Sequence, residues 1–194
     1  MIDDDDELEA FRAHVAQLRP FQGARSTKRP ERHLDELNDA RLALQAAALG
    51  FTGLRHRGDA DPPDCEAIIE GVRCGIEVTE FAHEPKLRRS IKAVRRRRDS
   101  VEYHEWRRDE FLSALRDRIT RKDRPSEVKG GPYARYLLVL WTGEMHLTKE
   151  ILLEFLSGAE FPCSLITDAY FLLGYHPQSD QPYPVVRVSV TPVA

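Results

Sequence analysis

The segment Cys65-Glu66-Ala67-Ile68-Ile69-Glu70-Gly71-Val72-Arg73-Cys74-Gly75-Ile76 favours one pairing above the others. With Glu70-Gly71 as a two-residue turn, Cys65 faces Ile76, Ala67 faces Cys74 and Ile69 faces Val72, so one hairpin face is wholly apolar. A slip of one residue would break that separation, and the pattern itself therefore selects the register. Continued by one step, the same register sets Asp64 opposite Glu77, with β-carbons roughly 5 Å apart. Like charges placed in this way destabilise a sheet, and a divalent cation between them is the simplest relief. Without the cation, a neutral amide at either position should leave the protein equally or more stable.

The rest of the composition sets the context. Of 194 residues, 31% are charged and 41% hydrophobic, which fits a single domain with a core of sheet and helices. The formal net charge of −3 hides an asymmetry. Residues 1–10 carry six acids and no base, whereas residues 84–124 hold fifteen Lys and Arg against eight Asp and Glu. The apolar run Leu137–Trp141 is far short of a membrane span. The acidic start does not resemble a signal peptide. Cys65, Cys74 and Cys163 form no metal-ligand pair and leave an odd thiol, so a cytoplasmic protein with Cys65 and Cys74 in its core is expected.

Periodicity predicts a helix over residues 5–18 and a second from Pro30 to Gly50, with Leu34, Leu37, Leu44 and Ala48 along its buried stripe. Phe51–Arg57 reads as a strand, followed by the hairpin. Beyond Phe81 a basic helical region carries Leu87, Ile91 and Val94 on one stripe. Trp106–Lys122 is a further helix with Phe111, Leu115 and Ile119 in phase. Tyr136–Trp141 has the continuous apolar character of a strand buried on both faces. Leu147–Leu156 should be a helix, and Cys163–Thr167, Ala169–Leu173 and Val185–Val190 short strands. The order is α-β-β-β-α-β-α with β at the end, an α/β sheet with helices packed against it. Residues 1–29 form an N-terminal helix and basic loop, 30–141 a core, and 142–194 a C-terminal helix and strands.

That order resembles the PD-(D/E)XK nuclease superfamily, the restriction-endonuclease-like fold with an αβββαβ core and a central mixed sheet flanked by helices. The likeness rests on Pro63-Asp64 and on the segment Gly75-Ile76-Glu77-Val78-Thr79, and spans roughly Pro30 to Trp141. In that family the Asp and Glu hold Mg²⁺ or a similar ion such as Mn²⁺, so the resemblance implies that role for Asp64 and Glu77. The family's lysine, two residues after the Glu, is here Thr79, which shares the face of Glu77 but brings no charge. Some branches carry Glu-Val-Thr on this strand and take the lysine from a later helix. Lys122 is the candidate, three residues after Ile119 and seven after Leu115, and so on the face that packs on the sheet. The helix acid that often completes such a site would be Glu36, with Asp39 as the alternative. Glu66 and Glu80 read as surface residues or as residues that support those holding the ion.

Arg88, Arg89, Lys92, Arg95 and Arg96 belong to a stretch without acids from Lys86 to Arg98, suited to gripping phosphates. The expected activity is metal-dependent hydrolysis of phosphodiester bonds, most simply in DNA, and the resemblance admits a homodimer. The alternative is a nuclease-like fold without catalysis, acting as a nucleic-acid- or protein-binding module. Other chemistries lack their signatures. His104-Glu105 has no second histidine in the zincin position, and neither a Walker loop nor a dinucleotide fingerprint occurs.

Overall fold

The computed structural model describes residues 29–58, 60, 62–83, 104–144, 146–174 and 181–193. The helix expected over residues 5–18 and the basic run with Arg88, Arg89, Lys92, Arg95 and Arg96 lie outside these. The described chain runs through α1 (Arg29–Ala46), β1 (Phe51–His56), β2 (Cys65–Ile69) and β3 (Val72–Glu80) to α2 (Arg108–Lys122). A 3-10 turn at Pro125–Glu127 leads to β4 (Arg135–Thr142), α3 (Lys149–Leu156), β5 (Phe161–Cys163), β6 (Asp168–Leu173), β7 (Val185–Val188) and β8 (Val190–Pro192). Six strands form one mixed sheet in the order β1-β2-β3-β4-β6-β7, and β5 pairs with β8 separately. The β3-β4 and β4-β6 pairs are parallel, and the three outer pairings are antiparallel.

The β2-β3 hairpin adopts the register that the apolar pattern selects, with Cys65 on Ile76, Ala67 on Cys74 and Ile69 on Val72. Its turn places Glu70 at φ 51° and Gly71 at φ 84°. Both central residues are left-handed, as a tight turn matching the twist of the strands requires. One consequence of this register is that Cys65, Ala67, Ile69, Cys74, Ile76 and Val78 all lie in one core, beneath Ala40, Ala43 and Leu44 of α1.

Strand β4 shows why a continuous apolar run marks the middle of such a sheet. Leu137, Val139 and Trp141 face the core under α1. Tyr136, Leu138 and Leu140 face a second core with Phe111, Leu115 and Ile119 of α2 and Leu152 of α3. Neither face is left for water. The sheet therefore carries α1 on one side and α2 with α3 on the other. No helix among the described residues is long and apolar enough to cross a membrane.

The end of α1, two positions of its expected buried stripe and one strand differ from the periodicity. Helix α1 ends at Ala46, and Ala48, expected on the buried stripe, is exposed at φ 54°. Leu34, also expected there, is 67% exposed. The face turned to the sheet carries Glu36, Asp39, Ala40, Ala43 and Leu44 instead. A rule that counts apolar side chains misplaces this stripe, because two acids occupy buried positions and alanines permit close approach. The strand expected at Cys163–Thr167 lies earlier, at Phe161–Cys163.

Gly75 is the tightest point of the hairpin. A β-carbon there would stand 3.0 Å from Pro63 Cγ and 3.0 Å from Tyr136 Cδ2. The missing side chain lets both rings lie against β3 beside Glu77. Gly75→Ala should therefore destabilise the protein by about 1–3 kcal/mol, the usual range for overpacking. Equilibrium urea unfolding checks this, and an unchanged midpoint would mean that Pro63 and Tyr136 yield freely.

Candidate active site

The hairpin ladder ends at Cys65 and Ile76, and the chain before it turns away through a cis Pro62–Pro63 peptide. At that point the Val78 N–H donates to Asp64 Oδ2 at 2.7 Å. Arg57 N–H donates to the Asp64 carbonyl at 2.8 Å, fixing the backbone as well. Asp64 is thus buried beside the peptide that follows Glu77, held by a donor that a charged oxygen accepts strongly. Glu77 is buried too, with Oε2 accepting from the Tyr136 hydroxyl at 3.3 Å.

Lys122 comes from the last turn of α2 and sets Nζ 2.5 Å from Glu77 Oε1. Its position follows from the phase of Phe111, Leu115 and Ile119, which bury that side of the helix. The end of α2 is pinned by the next residue. Asp123 accepts from the N–H groups of Ser164 (2.7 Å), Leu165 (2.7 Å) and Ile166 (3.0 Å). The lysine side chain is 31% exposed and that of Glu77 4%, so the pair lies at a mouth whose floor is the carboxylate. A pocket of about 220 Å³ opens over it, lined by Pro62, Glu77, Arg121, Lys122, Arg124, Glu127 and Tyr136.

Glu36 enters from the other helix. It is buried, and its carboxylate accepts from Arg32 Nε at 2.7 Å and meets His56 Nε2 at 2.9 Å. Glu36, His56 and Asp64 bring potential ligand atoms within 4.8 Å of one another. His56 Nδ1, however, accepts the Gly58 N–H at 2.8 Å. That bond fixes the ring hydrogen on Nε2, where it is donated to Glu36. His56 therefore orients Glu36 rather than offering a lone pair to an ion. The remaining donors are carboxylate oxygens, a hard set that suits Mg²⁺ or Mn²⁺ better than a softer metal.

Cys65 is the common neighbour of these acids. Burial pushes its thiol far above the usual range, and the charges of Asp64, Glu36, Glu77 and Asp39 push it further. Asp39 is as buried as Glu36, so both helix acids that the sequence suggests face inward. Thr79 is buried two residues beyond Glu77, paired with Leu140. Asp64 groups with Glu36 and His56, whereas Glu77 lines the pocket with Lys122; both act on Cys65, and each has a hydrogen-bond partner. The sequence-based expectation that amides at these positions relieve a bare repulsion is replaced by one in which partners are removed.

Two residues at or near this site are not placed by the sequence pattern. Glu66, expected on the surface or in support of the residues holding the ion, is not on the surface but buried within a cage formed by Arg55, Arg57, Arg73 and Tyr133. His56 drew no attention because its partner Glu36 lies twenty positions away. The polar alternation of the hairpin, Glu66 and Arg73 on the face opposite the cysteines, was the available signal for the first. Nothing local signalled the second.

Burial raises the Glu66 carboxyl, but hydrogen bonds from Arg55, Arg73 and Tyr133 and the Arg73 charge outweigh it and bring the group to about 2, against an ordinary 4.5. A carboxyl depressed on folding contributes stability above its unfolded value and loses it as the pH falls toward the folded one. Glu66→Gln should cost about 2 kcal/mol at neutral pH, within the range for an unsatisfied buried group. It should also flatten the decline of stability between pH 4.5 and about 2. Thermal melts across that interval test this, and a variant that tracks the wild type would remove the cage from the account of acid stability. Comparison of the chain with protein-family models, with curated proteins and with solved structures gives no match to any of them.

Proposed function

We propose that this protein is a metal-dependent nuclease built on a restriction-endonuclease-like αβββαβ core, hydrolysing phosphodiester bonds, most simply those of DNA. One observation carries the reading. Lys122 meets Glu77 from a later helix, in a pocket that also presents Arg121 and Arg124, while Asp64 and Glu36 lie behind it around Cys65. The α1-β1-β2-β3-α2-β4 order and the parallel β3-β4 pair support the same reading.

Asp64 and Glu77, with Glu36, are the residues that would hold the ion. A divalent ion held there would supply an activated water and stabilise charge on the phosphate. The chain's own side chains do the rest. Lys122 places a positive charge where an attacking water loses its proton and where the phosphate gains charge. Tyr136 and the Val78 N–H hold the two carboxylates in orientation. Arg121 and Arg124 bring guanidinium groups to the mouth, where a phosphate would compete with Glu127 for Arg124. His56 keeps Glu36 turned inward. The basic stretch with Arg88, Arg89, Lys92, Arg95 and Arg96 adds the non-specific grip on the backbone.

A second reading has support in Thr79, which stands where the family's lysine would be, and in the pairing of Lys122 with Glu77. These suit a binding module of the same fold that does no chemistry. Cleavage of single- and double-stranded DNA and of RNA with Mg²⁺ or Mn²⁺ separates the two. Asp64→Ala, Glu77→Ala and Lys122→Ala should each lower the cleavage rate by about 100-fold or more, as loss of a charge-stabilising group does. Nucleic-acid affinity should remain, with its steep dependence on salt. Wild-type binding without cleavage of any substrate would favour the module, and cleavage that persists in all three variants would overturn the nuclease assignment.

A further inference from the structure

A second cluster of ligating groups lies away from Lys122 and Glu77. His83 follows β3, His104 precedes α2, and Glu110 stands in the first helical turn. Their ligating atoms fall within 4.8 Å of one another. His83 Nε2 is 3.6 Å and His104 Nε2 2.9 Å from the same oxygen, Glu110 Oε1. Ligands at 2.0–2.1 Å on the corners of a tetrahedron lie about 3.3 Å apart, and the two distances bracket that edge. The imidazoles are stacked, with centroids 3.7 Å apart and planes 20° from parallel, so their in-plane lone pairs run side by side and one ring has to turn about its Cβ–Cγ bond to share an ion with the other.

Two further observations fit an ion there. Trp106 meets both rings edge-on, at 4.7 Å from His104 and 5.6 Å from His83, and its indole Nε1 is buried without an acceptor among the described residues. A buried donor of this kind calls for an acceptor, and a water on a metal's fourth position is one. His83 and Glu110 also line a cavity of about 360 Å³ that gives an ion access. Two imidazoles and one carboxylate are the donor set of an open zinc site, whereas the Asp64 site offers carboxylates alone.

We propose that His83, His104 and Glu110 form a site for a transition-metal ion, Zn²⁺ being the natural occupant, with one position left to water. The site is independent of the proposed nuclease centre. Its two histidines bracket residues 84–103, which carry eight Lys and Arg, so the bound ion joins the two flanks of the basic stretch.

The test uses the full chain without a histidine tag, stripped of metal by chelator, and titrated with Co²⁺ and then Zn²⁺. The expected result is the visible spectrum of tetrahedral cobalt at one equivalent, bleached by one equivalent of Zn²⁺. His104→Gln and Glu110→Gln should weaken Zn²⁺ binding at least about 10-fold, the loss typical even of outer-shell changes. Asp64→Ala should leave the cobalt spectrum intact. Circular dichroism identifies any variant that fails to fold, and His83→Gln then takes its place. A wild type without tetrahedral cobalt bands, or bands lost in Asp64→Ala but kept in Glu110→Gln, would overturn the proposal.

Discussion

The bond from the Val78 N–H to Asp64 governs the geometry of this molecule where it matters. The chain before Cys65 parts from β3, and the N–H of Val78 would be left as a buried donor. Such orphans are costly, and the Asp64 carboxylate satisfies this one at 2.7 Å. A single side chain therefore ends the ladder and places a negative charge beside the peptide following Glu77. The register of the hairpin is what makes this placement repeatable. It commits Cys65, Cys74 and Ile76 to the core beneath α1 and leaves Gly75 for the rings of Pro63 and Tyr136.

On the far side of the sheet, placement depends on helix α2. Three buried apolar residues fix its rotation, and Asp123 fixes its end by accepting three N–H groups from the segment after β5. Lys122 has little freedom between them. Its short contact with Glu77 gives a buried carboxylate a charged partner. Behind them the acids around Cys65 concentrate negative charge, while the mouth carries Arg121 and Arg124, the latter paired with Glu127 at 2.8 Å.

Much of this is legible in the sequence, for physical reasons. The hairpin register follows from a period-two pattern that tolerates no slip, and the two-faced burial of β4 follows from a run without polar interruption. The position of Lys122 follows from helical phase alone. What stays hidden is what depends on distant partners. The cage around Glu66 gathers residues from β1, β3 and the segment before β4. The fixed tautomer of His56 depends on a loop N–H and on Glu36 from α1. Leu34 misled because helical periodicity assigns apolar residues to the core, whereas α1 turns Glu36 and Asp39 inward.

The central claim is that buried acids from β3, from the start of β2 and from α1 share one divalent cation beside Lys122. A crystal structure of the protein soaked in Mn²⁺, with the anomalous signal of manganese, addresses it most directly. The expected result is a peak bonded to oxygens of Asp64 and Glu77, with Lys122 Nζ moved from its 2.5 Å contact on Glu77 toward the metal's water shell. A map at saturating Mn²⁺ with no peak at these carboxylates, and with the Lys122–Glu77 pair intact, would contradict it.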